Sequence, residues 1–397
     1  MNTDNMIQGR VEEGKLILTL TGTIDSSNSA AVEAAMQALY REQPCESVVL
    51  DCDGLEYTTS AGLRVILRMK QAVDDTVLAN VHPELYSILD MTGFTDMMEV
   101  KKAYRVISVE GCEVIGQGAN GKVYRIDPDT IVKVYLNPDA LPEIHREREL
   151  ARLAFVAGVP TAIPYDVVRI QGGGYGSVFE LLSAVSFAKL LIRQEKTMEE
   201  VARMSIDLLK LIHSKEIPSD ILPDMKTVAL KWATFLKDYL PGDQAEKLYA
   251  LIDAVPEDAH LMHGDYHIKN IMLQNGEILL IDMDTLCHGN PIFELASMYN
   301  AYVGFSLTNP QETMAFLGLP QETCAALWHR SLALYLGTED EAAITRAEDK
   351  ARIIGLTRIM RREIRRDGLN REDGRRMIEA CRRGLAELLP RVDSLLL

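Results

Sequence analysis

Apolar residues along the first hundred positions change period repeatedly, from strict alternation to spacings of three and four. KLILTLTG (Lys15 to Gly22) alternates as a half-buried strand does, and SSNSAAVEAAMQALYREQ follows with Ser and Asn capping residues and helical apolar spacing. SVVLDC (Ser47 to Cys52) suits a buried strand. DGLEYTTSAGLRVILRMKQA turns into a second helix near Ser60, and the strand TVLANV and the helix ELYSILDMTG complete the series. Strands alternating with helices predict an α/β sheet with helices packed on it. From residue 107 the pattern changes. VISVEGCEVIGQGANGKVYRIDPDTIVKVYL alternates around glycines as an antiparallel hairpin does, PEIHRERELARLAFVAGV is helical, and GVPTAIPYDVVRIQGGGYGSVFELL reads as further strands with a Gly-rich turn. After Leu182 the spacing is mainly helical, in MEEVARMSIDLLKLIHSK, VALKWATFLKDYL, AEKLYALIDAV and beyond. Strands first and helices second predict a two-lobed α+β body with a cleft. The expected division is 1–104 and 105–397, the latter with an N-lobe of 105–182 and a C-lobe of 183–397.

Composition narrows the class. A chain of 397 residues, 47% hydrophobic and 25% charged, is longer than one average domain. Its six cysteines lack CxxC pairs or regular spacing, which argues against zinc ribbons and disulfide frameworks and for reduced thiols. MNTDNMIQGR has no basic segment leading into an apolar one, and no apolar run reaches the roughly 18 residues of a membrane span. A soluble, cytoplasmic protein is expected. A net charge of −16 disfavours nucleic acid and anionic membrane as partners. That charge is uneven: roughly −8 over residues 1–104, roughly −13 to about residue 344, and roughly +5 thereafter. The acidic middle favours a cationic small molecule, although an ordinary solvated surface accounts for it equally.

Chemistry concentrates in the second part. GQGANG (Gly116 to Gly121) has GxGxxG spacing, but strands on both sides exclude a strand-to-helix dinucleotide site. A Gly-rich hairpin can instead lay its backbone N–H groups over phosphates. Lys133, in TIVKVY, is charged amid apolar neighbours and costly to bury unless paired; Glu147 and Glu149 in the next helix are candidate partners. HGDYHIKN (His263 to Asn270) and LLIDMD (Leu279 to Asp284) then bring an aspartate, an asparagine five positions on, and another aspartate ending an apolar run. Phosphoryl transfer requires such a set: a carboxylate to orient the attacking hydroxyl, and oxygen ligands for the metal that neutralises the phosphates.

Two resemblances follow from these motifs. LDCDGLEYTTSAGLRVIL resembles the core segment of the STAS domain of anti-sigma-factor antagonists. That resemblance implies a phosphorylatable serine at Ser60, two residues before Gly62-Leu63, and a protein partner; Thr59 stands where many members carry aspartate. The order of loop, lysine, glutamate, HGDxxxxN and IDxD over residues 107–300 resembles the aminoglycoside phosphotransferase and choline kinase family, a variant of the protein-kinase plan. It implies ATP or GTP with Mg²⁺ as cofactors and a small-molecule hydroxyl as acceptor. Gly116, Gly118 and Gly121 would line the phosphate loop, Lys133 would hold the α/β-phosphates, and Glu147, thirteen residues before Pro160, would orient Lys133. FELL (Phe179 to Leu182) would receive adenine, which nominates Glu180 and Leu182. Asp265 would be the catalytic carboxylate, Asn270 and Asp282 the metal ligands, Asp284 a supporting acid and His263 a brace for the catalytic loop. Lys269, in place of the family's usual glycine, bears on substrate or phosphate contacts.

Rival readings are weaker. A phosphoesterase using His263, Asp265 and His267 as metal ligands needs a second cluster that eight histidines do not supply, and leaves Lys133 unexplained. A binding or signalling module, whose kinase-like half serves the STAS half or a protein partner, is the alternative to an enzyme. The arginine-rich RIMRREIRRDGLNREDGRRMIEACRRG could touch an anion, but interspersed Glu363, Asp367, Glu372 and Glu379 favour a salt-bridged helix pair.

Overall fold

The computed structural model describes residues 6–12, 14–118, 121–181, 184–217 and 221–397. Two units make up the chain, Met1–Gly111 with Val167–Gly176, and Cys112–Asp166 with Ser177–Leu397.

The first unit is an α/β sheet of five strands in the order β1 (Ile7–Glu12), β2 (Lys15–Ile24), β3 (Ser47–Thr58), β4 (Asp75–Val81) and β5 (Val100–Lys102). β1 runs antiparallel to β2 and the remaining pairs are parallel. α1 (Ser29–Glu42), α2 (Ser60–Ala72) and α3 (Pro83–Met91) supply the crossovers that parallel pairing requires. Leu16, Leu18, Leu20, Val48 and Leu50 pack in one core with Val32 and Met36 of α1 and Ile66 and Met69 of α2. Two differences from the sequence expectation have local causes. β1 has no alternation to read, because only Ile7 is buried. β3 continues past Cys52 to Thr58 through register shifts in its pairing with β2, because Leu55 and Thr58 still point inward.

The second unit begins with an antiparallel meander of β6 (Glu113–Gln117), β7 (Gly121–Asp127) and β8 (Thr130–Tyr135), followed by α4 (Leu141–Val156). The helical remainder includes α5 (Met198–His213), α6 (Met225–Leu236), α7 (Gly242–Asp253), α8 (Ile292–Tyr302), α9 (Gln311–Leu317), α10 (Gln321–Leu336), α11 (Glu341–Arg365) and α12 (Glu372–Leu388). A capping box starts α5: Thr197 Oγ1 accepts from the Glu200 amide, and Glu200 accepts from the Thr197 amide. Leu209, Trp232, Leu248, Tyr299, Trp328, Ile354 and Leu385 join these helices in one core. Near the α11–α12 connection Glu363 of α11 is held at 3.1 Å by both Arg362 of the same helix and Arg371, the N-cap of α12. Among the described residues no helix is long and apolar enough to cross a membrane, and all six cysteines are free.

Candidate active site

The glycine hairpin is fixed by its register. Gly121 opposes Tyr135 and Val123 opposes Lys133 in the β7–β8 pair, so Lys133 lies on the neighbouring strand, two positions in from Gly121. A Cβ on Gly121 would run into the Val134 carbonyl oxygen, whereas one on Gly118 would meet open space. Gly121 therefore serves strand packing, while Gly118 leaves its backbone approachable; Gly116 pairs with Val123 beside a register shift. The Gly118 amide donates to the Gly121 carbonyl at 2.9 Å.

Lys133 Nζ donates to Glu147 Oε1 at 2.7 Å and Oε2 at 2.9 Å, and reaches Asp282 Oδ1 at 3.4 Å. Burial works against the ammonium, but Glu147 and then Asp282 outweigh it and hold its pKa above the ordinary lysine value. Glu147 also accepts a short hydrogen bond from the Tyr135 hydroxyl. Glu147 is buried on α4 and Glu149 is exposed. Buried Ile144, Glu147, Ala151 and Ala154 follow helical spacing, a signal in the sequence that separates the two glutamates without any family resemblance.

The HGD loop is braced from several elements. The His263 amide donates to Glu294 Oε2 at 2.6 Å, and the Gly264 amide donates to the same carboxylate at 3.1 Å. Thr285 Oγ1 donates to the His263 carbonyl at 2.8 Å, and His263 Nε2 lies 3.1 Å from the Ile281 carbonyl. Gly264 has φ +81°, and a Cβ there would meet the Thr285 carbonyl, so a side chain is excluded at the centre of the motif. Arg358 of α11 donates to the Gly264 carbonyl at 3.3 Å and to Ser297 Oγ at 2.9 Å. Tyr266 donates to the Ser205 carbonyl, and the Ile268 amide donates to Tyr302 Oη at 3.2 Å.

Around Asp265, the Asn270 side-chain amide donates to the Asp265 carbonyl at 3.0 Å, which leaves the Asn270 Oδ1 free of that bond. The Ile281 amide donates to the Asn270 carbonyl at 2.9 Å, which fixes the two motifs together one residue before Asp282. Burial tends to raise the Asp265 pKa, but the His267 hydrogen bond and the charges of His267, His263 and Arg358 bring it below the ordinary value. Asp282 sits at φ +69°, a left-handed conformation that aspartate tolerates better than most side chains. Asp284 is pushed up to about 6, first by burial and then by the neighbouring Asp282 charge.

Lys133, Glu147 and Asp282 thus meet directly, and Asp265 and Asn270 join them through the Ile281 link. Glu180 is exposed at the end of the strand Tyr175–Glu180, with the following Leu181 amide donating to the Asp129 carbonyl at 2.7 Å. Leu182 lies outside the described residues. In the first unit Ser60 is exposed in the first turn of α2, and the cap is Thr59, whose side chain accepts from the Ala61 amide. Glu294, Arg358, Ser297, Thr285 and Tyr302 carry no motif of their own. Glu294 alone left a trace, as an acid inside the apolar run IFELASMY, every residue of which is buried.

The residues fit a divalent cation by their charge balance. Glu147 and Asp282 both contact Lys133, with Asp265 and Asp284 nearby, and the charges of Asp282, Glu147 and Asp265 add to burial, the larger cause, in raising the Asp284 pKa. Among the described residues no group of three or more His, Cys, Asp or Glu is arranged to hold a metal. Asn270 and Asp282 are a two-ligand set of the kind magnesium accepts when waters and phosphate oxygens complete its shell.

Glu294 yields a pH prediction. Burial raises its carboxyl to about 7 from an ordinary 4.5, against the amides of Gly264 and His263. The native state therefore holds this proton where the unfolded chain has lost it, and stability declines as pH rises from about 4.5 to about 7. The contribution is roughly 3 kcal/mol. Urea unfolding of Glu294→Gln across that range should lack this decline, and parallel profiles for the variant and the parent chain would assign it elsewhere.

Comparison with known proteins gives two family matches. The model of the phosphotransferase enzyme family matches residues 111–330, and that of the STAS domain matches residues 6–106. BtrV of Bordetella bronchiseptica, named for an anti-sigma factor antagonist, is 33% identical over 92 residues, 22% of this chain and 78% of that protein. The anti-sigma F factor antagonist of Paenibacillus polymyxa is 30% identical over 91 residues, again 22% and 78%. Among solved structures, the GDP and kanamycin complex of APH(2")-IIia is 13% identical with a TM-score of 0.48, covering 76% of this chain and 98% of its own. A choline/ethanolamine kinase family protein from Mesorhizobium loti is 15% identical with a TM-score of 0.45, covering 70% and 87%.

Proposed function

Because the chain belongs to the phosphotransferase enzyme family and carries a STAS domain ahead of that region, we propose that it transfers the γ-phosphate of ATP or GTP to a hydroxyl of a small molecule. The observation that carries this reading is the Lys133 ammonium, clamped by Glu147 and reaching Asp282 beside the Asp265–Asn270 loop. Lys133 would hold the nucleotide phosphates under the backbone of Gly116, Gly118 and Gly121, with the segment around Glu180 and Leu182 receiving the base. Asn270 and Asp282 would hold Mg²⁺, which supplies neutralisation of the phosphate charge when bound. Asp265 would orient the acceptor hydroxyl and take its proton as the new O–P bond forms and the bond to the leaving nucleoside diphosphate breaks. Glu294, Arg358 and Thr285 hold the loop in position and are positioning residues in this scheme.

A phosphotransfer screen of a metabolite library with γ-labelled ATP and GTP tests the proposal. Label in an acceptor, dependent on magnesium, is the expected result. Nucleotide binding with no transfer to any small molecule, and label on protein instead, would favour the signalling-module reading.

For the first unit, the reading is a protein-docking domain regulated at Ser60. Its support is an exposed hydroxyl in the first turn of α2, where a phosphate would meet free N–H groups and the positive helix end. Phosphopeptide mapping after incubation with Mg·ATP tests the self-modifying version, which predicts phosphate on the Ser60 peptide that is absent from Asp265→Ala; an unmodified peptide in the parent chain would eliminate it.

A further inference from the structure

A cavity of about 590 Å³ opens among α8, α9, α11 and α12, and arginines dominate its charge: Arg362, Arg366, Arg371 and Arg376. It adjoins the catalytic loop along two routes. His267, 3.5 Å from Asp265, packs edge-on against Phe316, which lines the cavity. Arg358, bonded to the Gly264 carbonyl, precedes Arg362 by one turn of α11. Three acids also line the cavity, and two of them are spent on its arginines. Glu363 is shared by Arg362 and Arg371, and Asp373 lies 3.7 Å from Arg371. Glu312 accepts from Asn309. Arg366 and Arg376 have no acid within ion-pair distance among the described residues. Arg362 is stacked over Phe305 at 4.2 Å, and burial, together with Arg366 and Arg358 and against Glu363, lowers its pKa. Lys269 adds a further cation over the Phe316 ring at 4.9 Å.

We propose that this cavity is the acceptor pocket and that the acceptor is anionic, a hydroxylated carboxylate or phosphate ester whose charged end is held by Arg366 and Arg376. The inference rests on the phosphotransferase reading and departs from the cationic acceptor that the acidic mid-chain composition suggests.

Inorganic phosphate is the probe, followed by line broadening of its ³¹P resonance on addition of the full chain. Saturable binding is expected, at least tenfold weaker in Arg366→Gln/Arg376→Gln and unchanged in Lys133→Met. Both arginines are exposed, so the double variant should fold. Binding that survives the double substitution, or that vanishes in Lys133→Met because phosphate occupies the nucleotide site, overturns the proposal. In parallel, hydroxy acids and sugar phosphates are set against amino alcohols and aminoglycosides as acceptors. An anionic acceptor whose KM rises at least tenfold in the double variant with little change in kcat supports the pocket; a cationic acceptor indifferent to the arginines overturns it. If no acceptor turns over, the phosphate titration decides alone. Failure of the phosphotransferase reading would appear separately, as absence of magnesium-dependent nucleotide binding.

Discussion

Asp265→Asn should reduce phosphotransfer by about 100- to 10,000-fold, the usual range for loss of a positioned acid–base group, while nucleotide affinity stays nearly unchanged. The substitution retains shape and removes only proton-accepting capacity. The backbone of Asp265 is fixed independently of its carboxylate, since its amide donates to His263 Nδ1 at 3.2 Å and its carbonyl accepts from Asn270. The carboxylate is kept ionised at neutral pH by the His267 hydrogen bond and nearby positive charge, which more than offset its burial. Activity should accordingly persist on the acid side until pH falls below the ordinary carboxylate range, and then decline as Asp265 takes up a proton. Single-turnover measurements with bound nucleotide separate this from a binding defect. Turnover in Asp265→Asn equal to that of the parent chain would remove Asp265 from the chemistry.

The residues legible in the sequence are those whose partners lie in compact motifs. The spacing from His263 to Asn270 and the apolar run ending at Asp282 announce themselves because each motif supplies its own geometry: a tight loop and a strand end. Lys133 is conspicuous because a charge in an apolar strand demands a partner. Glu294 and Arg358 are different. They brace the same loop from 30 and 94 residues away, Glu294 accepting from a backbone amide and Arg358 donating to a backbone carbonyl, and neither a period nor a spacing encodes a side chain reaching a distant main-chain group. The arginine-rich C-terminal segment shows a subtler limit. Of its four interspersed acids, Glu363 pairs with Arg362 and Arg371 and Glu379 pairs with Arg382, so the pairs lie within each helix or at the N-terminal cap of α12. Which arginines remain without an acid partner depends on how α11 and α12 face α8 and α9, and that is a property of tertiary packing alone. In the first unit the same reasoning separates β2, whose alternation reads directly, from β1, whose side chains point almost entirely to solvent.

Asp282→Asn should weaken magnesium-dependent nucleotide binding by at least about 100-fold, since a metal ligand contributes several kcal/mol to holding phosphate charge. Asparagine is preferred to alanine for this test because Asp282 has φ +69°, which asparagine accepts readily and alanine does not. The change therefore isolates charge from backbone strain. Asp282 also lies 3.4 Å from Lys133, so its loss could act by releasing the lysine, but Glu147 remains at 2.7 Å and keeps Lys133 in place. The two roles make opposite forecasts without metal. If Asp282 is a ligand, removing its negative charge eases the approach of bare nucleotide phosphates, and binding measured in chelator should be equal or tighter in the variant. If it chiefly steers Lys133, binding should fall equally with and without magnesium. Titration of a fluorescent nucleotide analogue under both conditions distinguishes them, and an equal loss in both would transfer Asp282 from metal ligation to lysine positioning.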